Sequence, residues 1–159
     1  MAKKPNTAPF WRFAFLVYCA VMLWLLFGRS NGFVAGVPYQ TQLRQNTNLV
    51  PFYTIENYWN ILQHSDNHAL RVHCFINLTG NLFLFIPAGW LFPRLWKKMR
   101  NYFRFFALCF GLIFFVEVVQ LFTLLGSFDV DDVILNLLGM TIGFLIHAIQ
   151  FRKRKGKSH

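Results

Sequence analysis

Carboxylate and amide side chains recur inside stretches of this sequence that are otherwise strongly apolar. They form three pairs with the spacing of one helical face: Asn77 with Asn81, Glu117 with Gln120, and Asp132 with Asn136. Carboxylates are oxygen ligands suited to Mg²⁺ or Mn²⁺ and can act as general bases, and amides bind polar ligands. The pairs therefore predict a polar pocket whose catalytic candidates are Glu117 and Asp132.

Each polar residue also has a simpler interpretation. Asp129, Asp131 and Asp132 open an apolar run, where acids cap a helix and complement its dipole. For Asp129 and Asp131, a helix-capping role and a role in the pocket are equally supported. For Asp132, a role in the pocket is favoured. The asparagines would also serve as hydrogen-bonding contacts between helices. Glu117 is the hardest to explain structurally, because a carboxyl group well inside an apolar span is expensive there.

These residues must be positioned by membrane-spanning helices. Four segments approach the ~20 apolar residues that cross a bilayer: about 10–27, 74–92, 103–125 and 130–149. Hydrophobic residues make up 55% of the 159 residues and charged residues only 14%. We predict an all-α, polytopic membrane protein in which residues 1–159 form a single domain. Cleavage of the first span as a signal peptide is a lesser alternative, because the small residues after it form a poor cleavage site.

The basic residues predict the orientation. Thirteen of the 16 Lys and Arg residues fall before or at the start of span one, between span two and the start of span three, or in the tail at 152–159. Such residues concentrate on cytoplasmic flanks, so both termini are expected in the cytoplasm. All six acids then lie outside or in the outer part of a span. The net charge of +10 is accordingly a topology and lipid-contact signal, and nucleic-acid binding is not expected.

The connections and packing signals complete the predicted architecture. In the long outer connection, Ile55, Tyr58, Trp59 and Leu62 share a face, which predicts a short interfacial helix. Helix-packing signals are the Gly139–Gly143 pair, which continues the Asp132–Asn136 stripe, and a bend at Pro87.

Cations and thiols near the predicted pocket are few. The nearest cationic candidates are Arg71 and His73, whereas His64 and His68 resemble surface residues. The three cysteines show no CxxC spacing and suit an apolar core, and without HExxH a zinc site is not expected.

Four sequence motifs in this order resemble the VanZ-like family of bacterial membrane proteins. The resemblance begins at Asn48 and rests on NLVPF at 48–52, NLTGNLFLFIPAG at 77–89, EVVQ at 117–120 and FDVDDVILNLLG at 128–139. It implies a place in the bacterial cytoplasmic membrane and a link to teicoplanin-type antibiotic resistance, without a settled biochemical activity. Relatives often carry an Arg shortly before the last motif, where this chain has Gly126-Ser127. If that Arg neutralises the acids, another cation or a metal ion must do so here.

Three functions are compatible with these observations. The leading hypothesis is an outer-leaflet polar pocket that engages a cell-wall precursor or a lipoglycopeptide beside membrane lipid. The second is a membrane-embedded hydrolase or transferase that uses a divalent cation on lipid-linked phosphates, although no Arg/Lys cluster or nucleophile motif supports it. The third is a small transporter or assembly partner, for which four spans are few. No cofactor other than that cation is expected.

Overall fold

The protein is all-α, with four long apolar helices able to cross a membrane, as predicted. The computed structural model describes residues 8–28 and 33–156; Lys3, Lys4, Arg29 and the tail end 157–159 lie outside them. The elements are α1 (Ala8–Phe27), α2 (Tyr39–Gln45), β1 (Thr47–Asn48), α3 (Tyr53–His64), α4 (His68–Leu95), a 3₁₀ turn (Lys97–Arg100), α5 (Tyr102–Thr123), β2 (Phe128–Asp129) and α6 (Val130–Gly156).

The long connection is more structured than the sequence predicted. The expected helix is present as α3, with Ile55, Tyr58 and Leu62 half-buried and Trp59 exposed. Helix α2 and the two-residue strands β1 and β2 were not foreseen. The strands pair in parallel, with Thr47 opposite Phe128 and Asn48 opposite Asp129. Helix α4 begins at His68, six residues before the predicted start of span two.

Helices α4 and α6 form the closest pair in the fold, and small residues explain why. A β-carbon on Gly139 would overlap the carbonyl oxygen of Leu82, and one on Gly143 would overlap that of Ile86. The predicted Gly139–Gly143 pair therefore packs directly against the α4 backbone. On the α4 side the matching small residue is Gly89, which meets Met140. Pro87 lies on the exposed side of α4, away from this contact, and the bend predicted there stays a prediction.

Helices α1 and α5 run antiparallel to α4 and α6. The N-terminal ends of α1 and α5 therefore lie beside the C-terminal ends of α4 and α6. Trp11 of α1 packs edge-on against Trp90 of α4, and the Arg94 guanidinium lies over both rings. At the other end of α1, Gln120 Nε2 of α5 donates a hydrogen bond to the Leu26 carbonyl oxygen. One end, here the basic end, carries Arg12, Arg94, Lys97, Lys98, Arg100, Arg104 and Arg152. The opposite end, here the acidic end, carries Asp129, Asp131 and Asp132.

Candidate polar site at the acidic end

Asp131 joins two distant parts of the chain by capping the start of α3. Its side chain is 0% exposed. Oδ1 accepts the backbone N–H of Phe52 at 2.5 Å, and Oδ2 accepts those of Thr54 at 2.9 Å and Ile55 at 3.1 Å. The first N–H groups of a helix have no partner within it and carry the positive end of its dipole. Asp131 therefore acts as the N-cap of a helix other than its own.

The turn before α3 is shaped to make these bonds. Phe52 has a φ of 67°, in the left-handed region, which costs a non-glycine residue ~1–2 kcal/mol. Just upstream, the Asn48 side-chain oxygen accepts the Val50 N–H at 3.1 Å and closes the local turn. Together these contacts aim the N–H groups at the start of α3 toward Asp131.

Asp129 completes the connection between the two motifs. Its Oδ2 accepts the Thr54 hydroxyl at 2.5 Å, and its Oδ1 accepts Asn48 Nδ2 at 3.2 Å and the Asp131 N–H at 2.9 Å. The pairing of β1 with β2 holds Asn48 beside Asp129. Between them, Asp129 and Asp131 thus accept six hydrogen bonds from N–H and O–H donors.

Relatives often carry an Arg near these acids, where this chain has Gly126-Ser127, and the contacts above show which groups the acids bind instead. In this chain, Asp129 and Asp131 are stabilised by amide and hydroxyl donors and by the α3 dipole. Charge-assisted hydrogen bonds of this kind are roughly twice as strong as neutral ones. A cation or a metal ion beside these two carboxylates stays a prediction.

Asp132 occupies a different environment from the other two aspartates. Asn81 Nδ2 donates a hydrogen bond to Asp132 Oδ1 and also lies 3.4 Å from Asn77 Oδ1. Tyr58 of α3 borders this group, and its pKa is raised by burial and by the negative charge of Asp132. Asp132 is only partly buried, so this side of the acidic end is accessible.

Glu117 and Asn136 lie deeper and line one cavity. Glu117 is 4% exposed, Asn136 is 3% exposed, and both face a cavity of about 290 Å³ enclosed by α1, α4, α5 and α6. Glu117 Oε2 lies 3.5 Å from the backbone nitrogen of Asp129, which donates to it. Asn77, Asn81 and Asp132 are therefore joined by side-chain contacts, and Glu117 and Asn136 line the cavity. That these residues form a binding site stays a prediction.

The remaining residues predicted for the pocket or its surroundings lie outside the cavity. Gln120 is directed to the Leu26 carbonyl of α1 and does not line this cavity. Arg71 and His73 are exposed at the start of α4, where the His73 ring packs edge-on against Tyr58. Asn48 and Thr54 were missed as site residues, although Asn48 stood in a quoted motif. Tyr58 was assigned only to the apolar face of the interfacial helix.

Side chains that could ligate a metal ion are spread out in this structure. Within the part of the chain that the structure describes, no three His, Cys, Asp or Glu side chains form a group that could hold a metal ion. The three cysteines are free, with Cys74 and Cys109 buried and Cys19 partly buried. A divalent cation at Asp132 and Glu117 stays a prediction.

Four apolar helices, with a carboxylate and amide series at one end, define a polytopic membrane protein with a polar site. The family model described as VanZ/LLP1 matches residues 15–151. Because that match covers most of the chain, the protein belongs to the VanZ/LLP1 family. No curated protein and no solved structure gives a significant match.

Proposed function

We propose that the protein lies in the bacterial cytoplasmic membrane with both termini in the cytoplasm and the acidic end outside. The support is the distribution of charge along the fold. Helices α1 and α5 run from the basic end to the acidic end, and α4 and α6 return, which separates seven basic side chains from the aspartates. A cytoplasmic basic end agrees with the excess of Lys and Arg on inner flanks of membrane proteins.

At the acidic end, the protein binds the polar part of an envelope amphiphile, either a cell-wall intermediate or a lipoglycopeptide, and so reduces the action of teicoplanin-type antibiotics. The observation that carries this proposal is the division among the four acids. Asp129 and Asp131 are engaged by hydrogen bonds that hold the fold. Asp132, with its partner Asn81, and Glu117 remain directed at accessible space and at the cavity.

Charge indicates which ligand groups this site would accept. The strongest charge interactions of Asp132 and Glu117 are with other carboxylates, which repel a bare phosphate. Hydroxyl, amide and amine groups are donors that carboxylate and carbonyl oxygens accept. Sugar and peptide portions of cell-wall intermediates and of lipoglycopeptides supply such donors.

The test compares antibiotic protection in cells that express equal, correctly inserted amounts of each variant. Asp132→Asn and Glu117→Gln retain side-chain volume and remove the charge. Glu56→Gln is the matched control, because Glu56 is an exposed acid on α3 near the same end. We expect the control to protect as well as the wild type and the two site variants to lose most of their protection. Full protection by both site variants, or none by the wild type, would overturn the proposal.

A metal-dependent enzyme acting on lipid-linked phosphates is the second candidate. The presence of two carboxylates at the acidic end that do not cap α3, Asp132 and Glu117, favours it, because Mg²⁺ is often held by one or two carboxylates together with substrate phosphates. Purified protein would then release phosphate from a prenyl-phosphate lipid only when Mg²⁺ or Mn²⁺ is added. Metal binding without turnover would count against this candidate.

A further inference from the structure

The cavity between the four long helices is apolar along most of its length. Phe15, Met22, Phe85, Phe92 and Met140 are among its walls, and Glu117 and Asn136 supply polar groups on the side nearer the acidic end. At about 290 Å³ it is close to the lower limit of ~300 Å³ for ligand pockets. A cavity lined by such side chains favours an apolar occupant over water.

One polar atom in this cavity has no partner. Asn136 Oδ1 is buried and accepts no hydrogen bond from any described residue. A buried acceptor without a donor costs ~1–3 kcal/mol, so native structures almost always satisfy such atoms. Asn136 and Glu117 both line this cavity. We infer that the missing partner is a hydrogen-bond donor that enters from that space.

The cavity is accessible from the side of the helix bundle. At its rim, Leu23 of α1 is 59% exposed and Leu112 of α5 is 43% exposed. In a membrane, the gap between these two helices faces the hydrocarbon chains of the surrounding lipid. A long apolar molecule can therefore enter without crossing the polar surface of the protein.

We propose that this cavity binds the hydrocarbon chain of a single-chain amphiphile whose head group donates a hydrogen bond to Asn136 and Glu117. The chain runs from those residues toward Phe92, and the head lies nearest the acidic end. A hydroxyl or amine head supplies a hydrogen-bond donor to these side chains, whereas an ionised carboxylate head has none. Chain binding is a property beyond the proposed head-group site, and it can be measured without any antibiotic phenotype.

The test uses the full-length protein in lipid nanodiscs and a photoactivatable long-chain primary alcohol, with the fatty acid and the alkane of equal chain length as comparisons. Labelled peptides are mapped by mass spectrometry. Cys19→Trp fills the cavity from α1, and Ala20→Trp adds the same side chain on the exposed face one residue away. We expect the alcohol to label peptides at Met22 and Met140, Cys19→Trp to abolish that labelling, and Ala20→Trp to leave it unchanged.

A second variant tests the polar contact itself. Asn136→Leu removes the acceptor at similar volume, so the preference for the alcohol over the alkane should fall by about 2- to 10-fold. Equal labelling of cavity and exposed peptides, or equal labelling in the two Trp variants, would overturn the proposal. If wild-type protein took up the chain label but gave cells no antibiotic protection, only the proposed function would be overturned. If it gave protection but the alcohol did not label the cavity, only this inference would be overturned.

Discussion

Replacement of Asp131 by Asn should destabilise the protein by loosening the start of α3. The carboxylate is fully buried and accepts hydrogen bonds from the backbone N–H groups of Phe52, Thr54 and Ile55. An amide offers one acceptor oxygen instead of two and turns an NH₂ group toward the remaining donors. Either orientation leaves one or two buried N–H groups without an acceptor.

The expected magnitude follows from that count. Each unsatisfied buried donor costs ~1–3 kcal/mol, and loss of the negative charge at a helix N-terminus costs a further ~0.3–1 kcal/mol. Asp131→Asn should therefore lower the free energy of unfolding by roughly 2–5 kcal/mol. This is a large share of the ~5–15 kcal/mol that is typical of folded proteins. Phe52 is then released from its left-handed conformation, so this segment should open first.

Two measurements on detergent-solubilised protein check this prediction. Chemical unfolding gives the loss of stability, and hydrogen exchange reports the amides of Phe52, Thr54 and Ile55 individually. Glu56→Gln is the control, since it removes an exposed acid from the first turn of the same helix. If Asp131→Asn unfolded like this control, and the three amides stayed protected, Asp131 would not be the cap that the geometry describes.

Two further predictions concern packing and pH. Gly143→Ala should destabilise by ~1–3 kcal/mol, because the new methyl group meets the Ile86 carbonyl. Gly111→Ala, in open space on α5, should stabilise by ~0.5–1 kcal/mol in the same unfolding assay. The raised pKa of Tyr58 means that the folded state holds the phenol proton more tightly than the unfolded chain. Stability should therefore fall as pH rises above the ordinary Tyr value of ~10, and Tyr58→Phe should reduce that fall; equal alkaline loss in both proteins would contradict the assignment.

The sequence was sufficient to predict those features that depend on local pattern. The length of each apolar run predicted four spans, because a bilayer imposes a minimum length on a helix that crosses it. Helical spacing also predicted that Asn81, Asp132, Glu117 and Asn136 would share a region, because alternating spans bring residues of equal depth together. In both cases a short stretch of sequence carries the information.

Features that depend on distant backbone geometry could not be predicted in this way. The partners of Asp131 are N–H groups nearly eighty residues earlier, and they become available only through the turn at Phe52. A sequence shows which residues are acidic but not which helix start they will face. Gln120 had the spacing of a pocket residue, yet it donates a hydrogen bond to the Leu26 carbonyl oxygen at the neighbouring end of α1. The cavity likewise depends on how α1 sits against three other helices.

The acids at this end of the protein connect two of the family motifs in space. The Asn48–Phe52 motif supplies the turn and the N–H groups, and the Phe128–Asp132 motif supplies Asp129 and Asp131, which bind them. This contact fixes the start of α6, and with it the position of Asp132 opposite Asn81. Because Asp132 directly follows the residue that caps α3, the structural bond and the accessible carboxylate cannot move independently. Under the proposed function, Asp129 and Asp131 would therefore affect ligand binding only through position, whereas Asp132 and Glu117 would contact the ligand itself.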